Sequence, residues 1–194
     1  TPDMLALPPC SGSFVLTDIN TGKVKALVSY PGYDANQINN VSYYASLINN
    51  SSSPLYNRAT QQTLAPGSTF KPISAIAGLE EGVIDADTYI TDYVEYTKVV
   101  PHANCWNSAG HGTINVEQAI EYSCNYFFYE VGYRLGSNTN TTELNDSTGL
   151  ALLAKYAKMF GLDSVSGLEL PETTPRISDE SVVRSAIRQA THNY

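Results

Sequence analysis

The sequence is short of charge, and of positive charge most of all. Asp, Glu, Lys and Arg make up 15% of its 194 residues, and 11 Lys and Arg against 19 Asp and Glu leave a formal net charge of -8. Lys and Arg form no cluster, so the chain lacks the electrostatic footprint for a nucleic-acid backbone or an anionic lipid surface. Neither is expected as a partner. Long apolar runs are missing too: nothing approaches the roughly 20 residues of a membrane span, and Thr1 to Pro9 has no basic stretch of the signal-peptide kind. The chain starts at Thr1 with no initiator Met, so it is expected to be a piece of a longer protein. Cysteine is scarce. Cys10, Cys105 and Cys124 show no CxxC or Cys/His spacing, so neither a structural zinc site nor another metal or cofactor is expected. One disulfide is possible, Cys105 with Cys124 being the pair to test, against the alternative of buried free thiols.

What remains is ample for a core. Hydrophobic residues are 42% of the chain and tyrosines number 14, which suits an ordered globule and a single domain over 1–194. Residues 13 to 18 and 24 to 30 are short Val- and Leu-rich runs around Asn20-Thr21-Gly22, a turn signal, and read as a β-hairpin. From Pro31 to about Leu55 the chain is rich in Asn, Ser and Tyr without periodicity and reads as loop, where the triplet Asn40-Val41-Ser42 reflects composition rather than glycosylation. Pro66-Gly67 punctuates the chain before Ser68. From there Phe70, Ile73, Ile76 and Ala77 recur at helical spacing up to Gly82. A second helix is expected from Asn115, with Gln118 completing a capping box, to about Tyr122. A third covers Tyr126 to Leu135, and a fourth lies between Thr148 and Phe160, stopped by Gly161. The polar interval 137 to 147 reads as a surface loop, and Ser178 to Ile187 as a short helix. Two strands alone are marginal as a sheet, so the hairpin either packs on helices or lacks strands that complete it.

Ser68-Thr69-Phe70-Lys71 sets a hydroxyl and an amine three residues apart at a helix start, so both lie on one face within reach of each other. The helix N-terminus favours the neutral amine and can help hold a developing oxyanion. Pro72 fits imperfectly, because without an N-H it leaves the Ser68 carbonyl unpaired. The structural alternative is an N-cap serine beside a solvated lysine. Ser123-Cys124-Asn125 falls between two expected helices, and a bend there would aim Ser123 and Asn125 at one cleft. Alone, it reads rather as a helix end followed by an Asn cap. His111 between two glycines has no evident carboxylate partner and reads as a structural loop histidine. Trp106, Tyr126, Phe127, Phe128 and Tyr129 read as core and cleft wall, and Cys124 as packing.

Together, Ser-x-x-Lys followed by Ser-x-Asn resembles the serine-acylating enzymes that include class A β-lactamases and penicillin-binding proteins. The wider series points to the class B penicillin-binding proteins. Thr21-Gly22-Lys23, Ala26 to Pro31 and Tyr33-Asp34-Ala35-Asn36 resemble that family's first hairpin and the segment after it, with Ala35 where Pro is usual. Asn57-Arg58-Ala59, Pro66 to Pro72, Gly110-His111-Gly112, Ser123-Cys124-Asn125, Phe160-Gly161-Leu162 and Ser185 to Tyr194 continue the likeness over nearly all of the chain.

The resemblance implies an α/β fold of the α+β type, the β-lactamase/transpeptidase-like fold, with an antiparallel sheet between helices. It implies that Ser68 attacks the penultimate D-Ala of a peptidoglycan stem peptide, that Lys71 takes its proton, that Ser123 relays protons to the leaving D-Ala, and that Asn125 binds the substrate backbone. β-Lactam antibiotics would acylate the same serine, and the enzyme would work on the extracytoplasmic face of the bacterial cell membrane, anchored by a segment outside this chain. Two departures qualify it. No Lys-Thr-Gly or Lys-Ser-Gly triplet occurs, so the strand that pairs with substrate and supplies the second oxyanion N-H is expected in a missing C-terminal part of the same domain. Arg188 stands where Gly is usual. The exposed hairpin is expected to associate with that missing part or with another copy. Two other readings remain: a β-lactamase or β-lactam sensor of the same fold, and a non-catalytic scaffold module.

Overall fold

The computed structural model describes residues 11–137 and 146–178. Their contacts sort into two compact units, one from residues 11–64 and 165–174, the other from residues 65–137, 146–164 and 175–178. Cys10, the core of the expected loop at 137 to 147, and all but the first residue of the expected helix from Ser178 lie outside the described residues.

In the first unit, strands β1 (Gly12–Thr17) and β2 (Val24–Tyr30) form the expected antiparallel hairpin, with Gly12 opposite Tyr30 and a register shift between Leu16 and Thr17. Asp18 makes the turn: its carboxylate accepts the N-H groups of Asn20 and Thr21 at 3.0 Å each. Gly22 then takes a φ of 69°, free of the clash a Cβ would bring. Alternation puts Phe14 and Leu16 on one face and Val15 on the other, yet these are 58%, 49% and 47% exposed. Both faces of the ladder are therefore apolar and open.

The expected loop from Pro31 to Leu55 is in part a helix, α1 (Val41–Ile48). Asn40 creates it by accepting the N-H groups of Ser42 and Tyr43 on its side-chain oxygen. Only Leu47 of this helix is buried, so it carries no apolar stripe for periodicity to detect. Asn57 likewise caps α2 (Arg58–Gln61). The buried Arg58 guanidinium donates to the carbonyls of Ser52, Ser53 and Tyr56, while Ser29 Oγ accepts the Arg58 N-H. Thr173 ties the later segment to the same helix through the carbonyls of Thr60 and Gln61.

The second unit holds the main core. Its helices are α3 (Lys71–Glu80), α4 (Val116–Glu121), α5 (Asn125–Ser137) and α6 (Asp146–Met159). All were expected, with ends displaced by a few residues, and the Asn115/Gln118 capping box of α4 is complete. Ala75 and Ala77 of α3, Ala119 of α4, Phe127, Val131 and Leu135 of α5 and Tyr156 of α6 pack into one cluster with Ile84, Ile90, Ile114, Cys105 and Cys124. A Cβ on Gly149 would lie 2.9 Å from the backbone nitrogen of Gly136, so the α5–α6 approach depends on that missing carbon. Two small antiparallel ladders cover the chain between α3 and α4: β3 (Ile90–Asp92) with β6 (Gly112–Ile114), and β4 (Glu95–Tyr96) with β5 (Ala103–Asn104). Glu130 is buried on α5 and accepts from Tyr96, Lys98 and Arg134 at 2.8–2.9 Å. Among the described residues every sheet is two-stranded, and no helix is long and apolar enough to cross a membrane.

Candidate active site

Ser68 sits in a 3-10 turn, Gly67–Phe70, that leads into α3. Proline dictates this tighter start. Pro72 has no N-H to give the Ser68 carbonyl, and the Lys71 N-H reaches it instead, one residue earlier than in an α-helix. The difficulty that Pro72 posed in the sequence is thus resolved. The turn keeps Ser68 exposed and carries Lys71 back over it, so that Lys71 Nζ lies 3.2 Å from Ser68 Oγ.

The opposing wall comes from the bend between α4 and α5. Ser123 adopts a φ of 53°, the left-handed region, which turns both its carbonyl and its hydroxyl toward the lysine. Lys71 Nζ lies 2.6 Å from Ser123 O, 2.9 Å from Ser123 Oγ and 2.8 Å from Asn125 Oδ1. Trp106 braces the bend from outside: its indole N-H donates to the carbonyls of Tyr122 and Ser123 at 3.2 and 3.1 Å. Of the aromatic residues expected as core and cleft wall, Trp106 is 64% exposed and belongs to the wall. Phe127 is core, whereas Phe128 and Tyr129 line an apolar cavity of about 300 Å³ beside α6.

Of the four residues singled out in the sequence, Ser68, Ser123 and Asn125 therefore converge on the amine of the fourth, Lys71. Burial holds that amine below its ordinary value of 10.5, against an opposing pull from Cys124 and Cys105. Among the described residues no carboxylate pairs with Lys71, so nothing of formal charge fixes it as ammonium. A lysine so placed can accept a proton from one hydroxyl and pass it to the other.

Behind the bend lies a group that the sequence reading missed. Asp92, Cys105, His111 and Cys124 bring one donor atom each to within 4.8 Å of one another. His111 Nδ1 is 2.7 Å from Asp92 Oδ2 and 3.4 Å from Cys105 Sγ, and Cys124 Sγ is 3.4 Å from the same carboxylate oxygen. His111 thus does have a carboxylate partner. Its ring also stacks on Tyr122 at 6.0 Å, and its Nε2 is buried with no hydrogen-bond partner among the described residues. Burial pushes the Asp92 carboxyl up, but bonds from His111, the two thiols and the Val94 N-H outweigh it and hold the group below its usual range. Burial pushes the Cys124 thiol up to about 12. Two sulfurs, an imidazole and a carboxylate are a donor set that could hold a thiophilic divalent cation such as zinc. The donors come from β3, the β5–β6 connection and the α4–α5 bend, so no compact spacing announced them. Cys105 and Cys124 are free thiols, with Sγ atoms 3.9 Å apart.

Comparison with known proteins places these features in context. Residues 12–192 match the family described as the penicillin binding protein transpeptidase domain. The chain is 35% identical over 163 residues to the peptidoglycan D,D-transpeptidase MrdA of Escherichia coli K12, covering 81% of this chain and 24% of MrdA. Among solved structures, Pseudomonas aeruginosa PBP2 in complex with WCK 5153 superposes with a TM-score of 0.77 at 29% identity, over 92% of this chain and 39% of that one. Penicillin-binding protein A of Mycobacterium tuberculosis, as its ceftriaxone acyl-enzyme, superposes with a TM-score of 0.69 at 32% identity, over 86% and 37%. The chain spans about a quarter of the length of MrdA.

Proposed function

Because the chain belongs to the penicillin-binding protein transpeptidase family, we propose that it carries the acylating half of a serine D,D-transpeptidase site acting on peptidoglycan stem peptides. The observation that carries this reading is the placement of Lys71 Nζ 3.2 Å from Ser68 Oγ and 2.9 Å from Ser123 Oγ. Ser68 Oγ attacks the carbonyl carbon of the penultimate D-Ala while neutral Lys71 takes the hydroxyl proton. As the tetrahedral adduct collapses, the bond to the terminal D-Ala nitrogen breaks. That nitrogen receives a proton passed from Lys71 through Ser123 Oγ. Asn125, whose side-chain oxygen faces Lys71, is left with its NH₂ to donate to a substrate carbonyl. The amine of a second stem peptide then displaces Ser68 from the ester. A β-lactam acylates the same oxygen, but its ring-opened leaving group stays tethered.

The chain is, in this reading, the front portion of the transpeptidase domain. Three observations support it: the hairpin is apolar and open on both faces, no Lys-Thr-Gly triplet occurs, and the matched stretch is 24% of MrdA. The missing strands would pair with the hairpin and add the second oxyanion donor. Stem peptides lie outside the cytoplasmic membrane, so the intact protein works at its outer face. The test is acylation of the intact protein by a penicillin, followed by mass spectrometry. A stable adduct on Ser68 is expected, absent in Ser68→Ala. Rapid hydrolysis of that adduct would instead make the protein a β-lactamase, and no adduct at all a scaffold module.

A further inference from the structure

Cys105 and Cys124 are buried, free and 3.9 Å apart at sulfur. A disulfide bond of about 2.05 Å therefore requires an approach of roughly 1.9 Å. Both ends are anchored by hydrogen bonds. Cys124 is held by its N-H on the Ala119 carbonyl and by the Phe127 N-H on its sulfur, at the head of a helix whose Phe127 is wholly buried. Cys105 is held by its N-H on the Val94 carbonyl at 2.7 Å.

The two cysteines also flank what holds Lys71. Cys124 is the residue between Ser123 and Asn125, and Cys105 immediately precedes Trp106, whose indole donates to the Ser123 carbonyl. Drawing the sulfurs together moves both attachments of one bend. Ser123, already at a φ of 53°, is where that displacement falls most easily, since its backbone is the least favourable in the segment.

We propose that Cys105 and Cys124 are a redox pair, and that their oxidation to a disulfide displaces the Ser123–Asn125 bend from Lys71 and so suppresses acylation of Ser68. The proposal rests on the transpeptidase reading and adds to it a regulation of the same site. The oxidant is hydrogen peroxide. Cys105 Sγ attacks one peroxide oxygen, the O–O bond breaks, and the departing oxygen leaves as water with the thiol proton. Cys124 Sγ then attacks the sulfenic sulfur, the S–O bond breaks, and the departing hydroxyl takes the Cys124 thiol proton and leaves as a second water. Two thiols and one hydrogen peroxide give one disulfide and two waters. A dithiol reductant reverses the change. Because the same sulfurs are half of the four-donor cluster, a zinc ion ligated there holds them as thiolates and withholds them from oxidation.

The experiment uses the intact protein, treated with chelator and desalted, then exposed to hydrogen peroxide with and without prior loading by zinc chloride. Peptide mapping reads the thiols and penicillin acylation reads Ser68. In the metal-free protein the peptides holding Cys105 and Cys124 should be linked, with a loss of two hydrogens, and acylation should slow by about 100-fold, the scale of an ångström misplacement. Dithiothreitol should restore both, and zinc should keep both thiols alkylatable. In Cys105→Ser the ratio of oxidised to reduced acylation rates should be one. Unlinked peptides after oxidation, or linked peptides with undiminished acylation, would overturn the proposal, and linkage at equal rate in the zinc-loaded protein would remove the metal's part in it. Failure of the reduced protein to acylate would instead sink the transpeptidase reading, whatever the thiols do.

Discussion

The hairpin and the helical unit are both built from Val, Leu, Ile and aromatic residues, and they dispose of them in opposite ways. In the hairpin, Phe14, Val15, Leu16 and Val28 stay about half exposed; in the helical unit, Phe127, Val131 and Leu135 are wholly buried. Ser68, Lys71, Ser123 and Asn125 all belong to the unit that holds the main core. A constellation that must hold hydroxyl and amine within hydrogen-bond reach needs neighbours with fixed rotamers, and packing around α3 and α5 supplies them. An open ladder could not.

The largest effect should come from the site itself. Lys71→Met should slow penicillin acylation of the intact protein by about 10²- to 10⁴-fold, the usual worth of a placed base, with Ser68 still present by sequencing. In the parent, the rate should climb with pH along a limb lying below the ordinary lysine value of 10.5, since the lowered Lys71 must be neutral to act. A limb at or above that value would mean that another group takes the proton.

Next comes the core beneath the site. Phe127→Ala removes a ring with no exposure, and should cost about 3–5 kcal/mol in denaturant unfolding. Smaller is the buried Glu130, where burial raises the carboxyl but bonds from Lys98, Arg134 and Tyr96 prevail and lower it. Its stabilisation is complete above the ordinary value of 4.5 and fades as pH falls through the lower folded value. Glu130→Gln should cost about 1.5–3 kcal/mol near neutral pH and flatten that acid limb. Smallest is Phe14→Ser in the isolated chain, expected to change stability by no more than about 0.5 kcal/mol while reducing self-association. A loss as large as that of Phe127→Ala would erase the contrast between the two regions.

How much of this could be read beforehand depends on distance along the chain. The hairpin turn at Asp18 to Gly22, the Asn115/Gln118 capping box and the pairing of Ser68 with Lys71 are local, and local chemistry is written in adjacent residues. The helix after Asn40 was hidden because it buries one side chain only. The ladders of β3 with β6 and β4 with β5 are two or three residues long, too short for alternation to appear. Asp92, Cys105, His111 and Cys124 meet only because those ladders and the α4–α5 bend fold over one another. The meeting of Ser123 and Asn125 with Lys71 came from family resemblance, since 52 and 54 residues separate them from it.

The left-handed backbone at Ser123 narrows which side chains can stand there. Glycine or asparagine would accept that geometry readily, but glycine discards the hydroxyl and asparagine replaces it with an amide that relays no proton. Threonine keeps the hydroxyl, yet its branched Cβ resists a positive φ. Substitution at this position therefore meets two demands that few side chains satisfy together, and tolerated changes should gather around the bend rather than at its apex.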